Sequence, residues 1–178
     1  MLRFALIALI LASPVLAQDT SSNPLTAAGC GPNEVRYDVK TSDKQHPTSQ
    51  PDAGKALVYV IGDSWSDHVA IHIGTPPMRF GVDGTWQGAN GYRSYFFFQV
   101  TPGDHRLCTN AKSTDQRVFK SSTAAISFTA EAGKSYYFRT KSPEAALSYE
   151  GLKLVLVDPA EALVLISSAS YSTFHIKK

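Results

Sequence analysis

The densest grouping of potential metal ligands in the chain is Asp63, Asp67, His68 and His72, within Asp63-Ser64-Trp65-Ser66-Asp67-His68-Val69-Ala70-Ile71-His72. Imidazole and carboxylate together would suit zinc, but the local pattern works against it. Val69, Ile71 and Ile73 alternate as one face of a strand, which puts His68 and His72 on the other face about 13 Å apart. Two ligands that must each lie about 2 Å from one metal cannot come from that pair. A helix would bring them together, but its β-branched Val and Ile disfavour one. No metal and no cofactor is expected.

Nucleophilic chemistry is no better supported. No serine lies in a Gly-x-Ser-x-Gly elbow, and no His-Asp pair has a recognisable frame. His105 and Cys108 could form a thiolate pair, but at a spacing of three on a strand their side chains point to opposite faces. Acid-pair hydrolysis depends on a carboxylate separation that exists only in three dimensions, and no acidic residue is singled out for it. The chain reads as a non-enzymatic protein, with an envelope-acting hydrolase that uses an unrecognised carboxylate pair as the alternative. Cys30 and Cys108 are the two cysteines. In an oxidising compartment such a pair joins, closing a loop of about 80 residues worth about 4 kcal/mol in the chain-entropy model.

Rings with a polar tip offer a binding reading. Trp65, Trp86, Tyr92 and Tyr95 lie in or beside turns where Gly84, Gly88 and Gly91 let a ligand or second chain approach. Glycan and protein contact sites use such flat amphipathic groups. The same rings also fill the core of a small sandwich, which is the blander reading of an 11% aromatic content.

The elements that must position these residues are mostly strands. Val35, Tyr37 and Val39 alternate with charged neighbours as a strand with one wet face, and residues 41–54, with two prolines and no large apolar side chain, read as a linker or long surface loop. Ala56 to Ile61 is apolar throughout, as a central strand covered on both faces would be. Asp83-Gly84 marks a type I′ hairpin between residues 79–82 and 85–87. Thr101-Pro102-Gly103-Asp104 suits a type II turn joining residues 94–100 to 105–109 as a second hairpin. Glu131-Ala132-Gly133-Lys134 joins 124–130 to 135–140 as a third, with Ile126 and Phe128 facing the core. Leu152 to Val157 reads as the last strand. Asp158-Pro159-Ala160-Glu161 then opens a short helix over about 159–168, with a strand at Ala162 to Ile166 as the alternative. Roughly nine strands and one short C-terminal helix make an all-β fold, an immunoglobulin-like or transthyretin-like β-sandwich.

The N-terminus sets the compartment. Arg3, an apolar run from Phe4 to Ala12, then Val15-Leu16-Ala17 before Gln18 have the layout of a secretory signal peptide over 1–17. The run is shorter than the roughly 20 residues a membrane span requires, and later apolar runs are broken by charge, Gly or Pro. The expected division is signal peptide 1–17, N-terminal tail and linker 18–54 with one short strand, and β-sandwich domain 55–178. The protein is expected to be periplasmic or secreted after cleavage near Ala17. Ala27-Ala28-Gly29-Cys30 resembles the run ahead of an acylated cysteine, but it does not abut the apolar segment, so lipid anchoring at Cys30 is not expected. With 17 basic and 15 acidic residues, and Arg3 lost with the signal, the charge is close to balanced and no basic run offers a nucleic-acid or anionic-membrane surface.

Several of these segments also carry a family resemblance. Gly54-Lys55-Ala56-Leu57-Val58-Tyr59-Val60-Ile61, Val82-Asp83-Gly84, Tyr95-Phe96, Val100 to His105 and Ala130 to Phe138 resemble the bacterial envelope proteins grouped as domain of unknown function 2846. The resemblance spans roughly residues 50–166, and the order of the hairpins carries it. It implies an exported β-rich domain with no assigned activity and no catalytic residues to carry over. Relatives are often lipid-anchored, whereas this chain lacks a Cys directly after its signal. An accessory or interaction module of the cell envelope, binding protein or glycan, is the functional expectation. A purely structural domain is the third reading.

Overall fold

The computed structural model describes residues 24–62, 77–111, 122–141 and 152–177. The signal segment, the expected strand at Val69 to Ile73, and Asp63, Trp65, Asp67, His68 and His72 lie outside the described residues. Among the described residues, ten strands form two sheets, with a short helix near the C-terminal end. In chain order they are β1 (Tyr37–Ser42), β2 (Ala56–Ile61), β3 (Met78–Val82), β4 (Thr85–Asn90), β5 (Ser94–Val100), β6 (Gly103–Ala111), β7 (Ser122–Ala130), β8 (Ser135–Lys141), β9 (Lys153–Val157) and β10 (Ser170–Ile176). The larger sheet has the order β1-β10-β5-β2-β8-β9 and the smaller β4-β3-β6-β7. The protein is an all-β sandwich.

Every residue of β2 is buried. Ala56, Val58 and Val60 point between the sheets and meet Phe80, Phe96, Leu107 and Phe138 there. Leu57, Tyr59 and Ile61 point to the outer face of the larger sheet, where Tyr95 joins them beneath Ala162 and Ile166 of helix α2 (Pro159–Ser168). Both halves of the period-two pattern are thus covered, one by a sheet and one by a helix. The helix starts where its signals place it. The Asp158 carboxylate accepts from the backbone N–H groups of Ala160 and Glu161, and Pro159 occupies the first turn, so Ala162 to Ile166 is helical.

The Asp83-Gly84 hairpin is as expected, with φ of 50° and 84° at the two central positions of the turn between β3 and β4. The other two expected hairpins are corrected. β5 pairs with β2 and β10, whereas β6 pairs with β3 and β7, so Thr101-Pro102 carries the chain from one sheet to the other. The Glu131–Lys134 turn likewise passes from β7 in the smaller sheet to β8, which lies parallel to β2 in the larger. Turn residues license a reversal, but burial chooses the partner. β5 carries buried aromatics on both faces, Phe96 inward and Tyr95 outward, and only a place inside the larger sheet covers both. Gly133, at φ 78°, donates to Lys55 O and Leu57 donates to Lys134 O, which lays β8 alongside β2.

The first strand begins two residues later than the alternation suggests and is an edge of the larger sheet, antiparallel to β10 from Tyr37↔Ile176 to Ser42↔Tyr171. A four-residue helix, α1 (Pro24–Ala27), precedes it. Ser94 and Ser172 are both buried and their hydroxyls meet at 2.7 Å, fixing β10 beside β5. Gly88 on β4 faces the Phe174 ring of β10, and a Cβ there would fall 2.2 Å from Phe174 Cζ. Gly88→Ala is therefore expected to lower stability by about 1–3 kcal/mol through overpacking. Urea denaturation checks this as a lower midpoint at unchanged slope.

Candidate functional site

The four aromatic candidates do not form one surface. Trp86 lies on β4 against the outer face of the smaller sheet, in the cluster of Leu25, Cys30 and Cys108. Tyr95 lies in the cluster on the outer face of the larger sheet, on the opposite side of the sandwich. Tyr92 is half-exposed in the turn between β4 and β5, and Trp65 is outside the described residues.

Trp86 is committed to the protein's own N-terminal segment. Its indole Nε1 donates to Pro32 O at 2.7 Å, and a Cβ on Gly31 would lie 2.3 Å from Trp86 Cδ1. The Arg79 guanidinium covers the ring, with Cζ 4.4 Å from the centroid. Arg79 is 4% exposed. One terminal nitrogen donates to Asn33 O at 3.1 Å and Val35 O at 2.7 Å, and the other donates to Asn110 Oδ1. Burial first, and the Arg36 charge second, pull its pKa below the ordinary guanidinium value, while Tyr37 opposes them. Carbonyl oxygens thus compensate a cation that the fold takes out of water.

The same segment is fixed covalently. Cys30 and Cys108 are joined by a disulfide, with Cα atoms 5.3 Å apart and both residues buried. Gly84 N–H donates to Gly29 O at 2.8 Å, tying the strap to the hairpin turn. Gly84, Gly88 and Gly91 do give close approach, but the groups that approach belong to this chain: Gly29, Phe174 and Thr41.

A second strap crosses the other face. Tyr95 Oη donates to Pro47 O at 3.0 Å, and Tyr59 Oη accepts from Ser49 N–H at 2.8 Å and donates to Ser49 O at 3.2 Å. Burial first, then the Tyr171 and Tyr59 rings, push Tyr95 up to about 12. The proline-rich stretch before β2 is therefore bound down by phenols, and Tyr95 serves the fold.

One pair has the look of catalytic machinery. His105 Nδ1 lies 2.6 Å from Asp83 Oδ2, while Nε2 lies 2.7 Å from Thr101 O. The second Asp83 oxygen accepts from Arg106 N–H at 2.8 Å. A carboxylate and a carbonyl only accept, so the two contacts favour the ring form in which both nitrogens carry a proton. The nitrogen a general base would offer to substrate is thus occupied. Burial disfavours the charged ring, but the Asp83 and Thr101 hydrogen bonds and the Asp83 and Asp104 charges outweigh it and raise the His105 pKa above its ordinary 6.5. For Asp83, burial again opposes the charge, and the Arg106 and His105 bonds with the His105 charge prevail and lower it. Cys108, the thiol of the His105 pairing, is consumed by its bond to Cys30.

Among the described residues the larger sheet ends on β9. β9 pairs with β8 alone among the described residues. Its Leu156 is 53% exposed, and Leu163 and Val164 are exposed on α2, the element that follows the strand. A shallow cleft of about 350 Å³ lies there, lined by Tyr136, Tyr137, Leu156, Val157 and Pro159 among others. The opposite edge of the sheet is guarded differently: Asp38 on β1 lies 3.5 Å from His175 Nε2 and 3.6 Å from Lys177 Nζ. Leu156 does not stand out in the sequence, because strand alternation shows an apolar residue but not that its strand ends a sheet. Among the described residues no three His, Cys, Asp or Glu side chains group as metal ligands, and no helix is long and apolar enough to cross a membrane.

No family model matches the chain, and no curated protein does.

Two outcomes are expected from these contacts. A raised His105 pKa means its contribution to stability is complete below about 6.5 and is lost as pH rises through the folded value; the lowered Asp83 value means its contribution is complete above about 3.8 and is lost as pH falls through the folded value. Stability from the pair is thus greatest between those limits, and in His105→Gln the fall of the urea midpoint as pH rises above about 6.5 should be smaller than in the parent chain. Mass spectrometry of protein from its native compartment should show Cys30 and Cys108 joined, and Cys30→Ser/Cys108→Ser should cost about 2–5 kcal/mol.

Proposed function

We propose that this chain is an exported, non-enzymatic interaction module of the bacterial cell envelope, which engages a protein or glycan at the open edge of its larger sheet. The observation that carries the reading is the exposed Leu156 on β9, which lines the cleft. A strand edge presents unpaired backbone groups, and proteins commonly blunt such edges with charge or proline unless a partner uses them. Within β9 the single charge is Lys153, at its first position. The disulfide suits an oxidising compartment, the N-terminal segment has the layout of a signal peptide, and the resemblance to the envelope proteins grouped as domain of unknown function 2846 supports the same reading. Of the aromatic candidates, Trp86 and Tyr95 hold the chain's own straps.

The test is site-specific photo-crosslinking in the source envelope, with a photoreactive amino acid in place of Leu156 and, separately, of Lys40 on the guarded edge. The expected result is a discrete protein or glycan adduct at position 156 and little at 40. Equal labelling at both positions, or none at either, would overturn the reading. Turnover of envelope glycan by the purified protein would favour the hydrolase alternative instead.

A further inference from the structure

The geometry points to a binding site for an oxyanion at Arg36, beside the buried Arg79, where the N-terminal strap enters β1. It is a second site, independent of the β9 reading, since β1 and β9 form opposite ends of the larger sheet. Arg36 and Arg79 reach the same two main-chain oxygens. Arg36 Nη1 donates to Asn33 O and, at 3.1 Å, to Val35 O, while Arg79 Nη1 donates to the same pair at 3.1 and 2.7 Å. A carbonyl oxygen has two lone pairs, so four N–H groups exhaust what these two can accept.

The charges are less well served than the hydrogen bonds. Carbonyl groups bring dipoles rather than a full negative charge, and two guanidinium groups that meet at them repel each other. Among the described residues neither arginine is in an ion pair. Asp38 of β1 is engaged by His175 and Lys177, and Glu34, which lies between the two carbonyl residues in sequence, pairs with neither arginine. Arg79 is 4% exposed and its Nε has no acceptor. Buried charges are ordinarily paired, and here two cations share no anion.

Arg36 supplies the way in. It is half-buried, and Nη1 alone is spent on the carbonyls, so the edge formed by its Nε and Nη2 keeps its donors. That edge is the fork that holds two coplanar oxygens at once, the chemistry shared by a carboxylate and a phosphate. Arg79, closed off from water, adds a fixed positive charge at short range. The strap sets this arrangement before any ligand arrives: Cys30 is bonded to Cys108 and Pro32 O accepts from Trp86, which holds Asn33 and Val35 where both guanidinium groups meet.

Nitrogen-15 NMR of the purified protein, titrated with sodium acetate, sodium phosphate and, at matched ionic strength, sodium chloride, tests this. The expected result is saturable shifts of Arg36 Nε and of the amides of residues 33–37 with acetate or phosphate and none with chloride. The tighter of the two shows whether the natural ligand carries a carboxylate or a phosphate. Arg36→Lys keeps the charge without the fork and should raise the dissociation constant about threefold, whereas Arg36→Gln should raise it about tenfold. Lys134→Gln, on the turn between β7 and β8, should leave it unchanged. Circular dichroism melts of each variant confirm that the fold is kept. No saturation, or equal shifts with chloride as screening alone would give, would overturn the inference. So would an unchanged dissociation constant in a folded Arg36→Gln.

Discussion

The structure turns on one strand that must be dry on both faces. β2 has apolar side chains at each of its positions, so burying only one half of them would leave the other in water at a cost of about 25 cal/mol per Å². The smaller sheet covers Ala56, Val58 and Val60. It cannot also cover Leu57, Tyr59 and Ile61. Helix α2 and the tyrosine-bound strap before β2 cover that side, and the strand order places β5 and β8 at its flanks. The architecture beyond a plain sandwich follows from covering that second face.

Two buried polar systems then hold peripheral chain to this body. On the smaller sheet, Arg79 and Trp86 hold the carbonyl groups of residues 32, 33 and 35, and the disulfide sits among apolar neighbours close by. On the larger, phenol hydroxyls hold Pro47 and Ser49. Both systems pair side-chain groups from strands with main-chain groups of irregular segments. Those segments are thereby relieved of backbone groups that would otherwise lie unpaired against the sandwich. The Asp83–His105 pair does the same for the corner where the chain changes sheets, since it gathers Thr101, Asp83 and Arg106 around one ring.

Much of the local structure was legible in the residues themselves. The strand at Ala56 to Ile61, the type I′ turn at Asp83-Gly84 and the helix after Asp158 each have a signal contained within a few positions. The sheet assignment of β5, β6, β7 and β8 was not, because Pro102 and Gly133 mark reversals without fixing which strand lies alongside. β10 was missed for another reason: its serines and threonine weaken the apolar pattern, and Ser172 is buried through its bond to Ser94 rather than by hydrophobicity. The exposure of Leu156 and the commitment of Trp86 both depend on neighbours distant in sequence. The cysteine pairing was legible from number alone, since two cysteines within one chain can make only one bond.

The pairing of β1 with β10 joins the thirties of the chain to its last residues. A chain delivered from its N-terminus must therefore keep Tyr37–Ser42 without its sheet partner until Ser170–Ile176 has emerged. Contacts of such separation close late and slowly, because the intervening loop loses entropy before the contact forms. Cys30 and Cys108 are both present well before that point, and their bond can anchor the waiting segment to the smaller sheet in the interval. The covalent link thereby acts on the order of assembly as well as on the finished fold, holding near its destination a strand whose neighbour arrives much later.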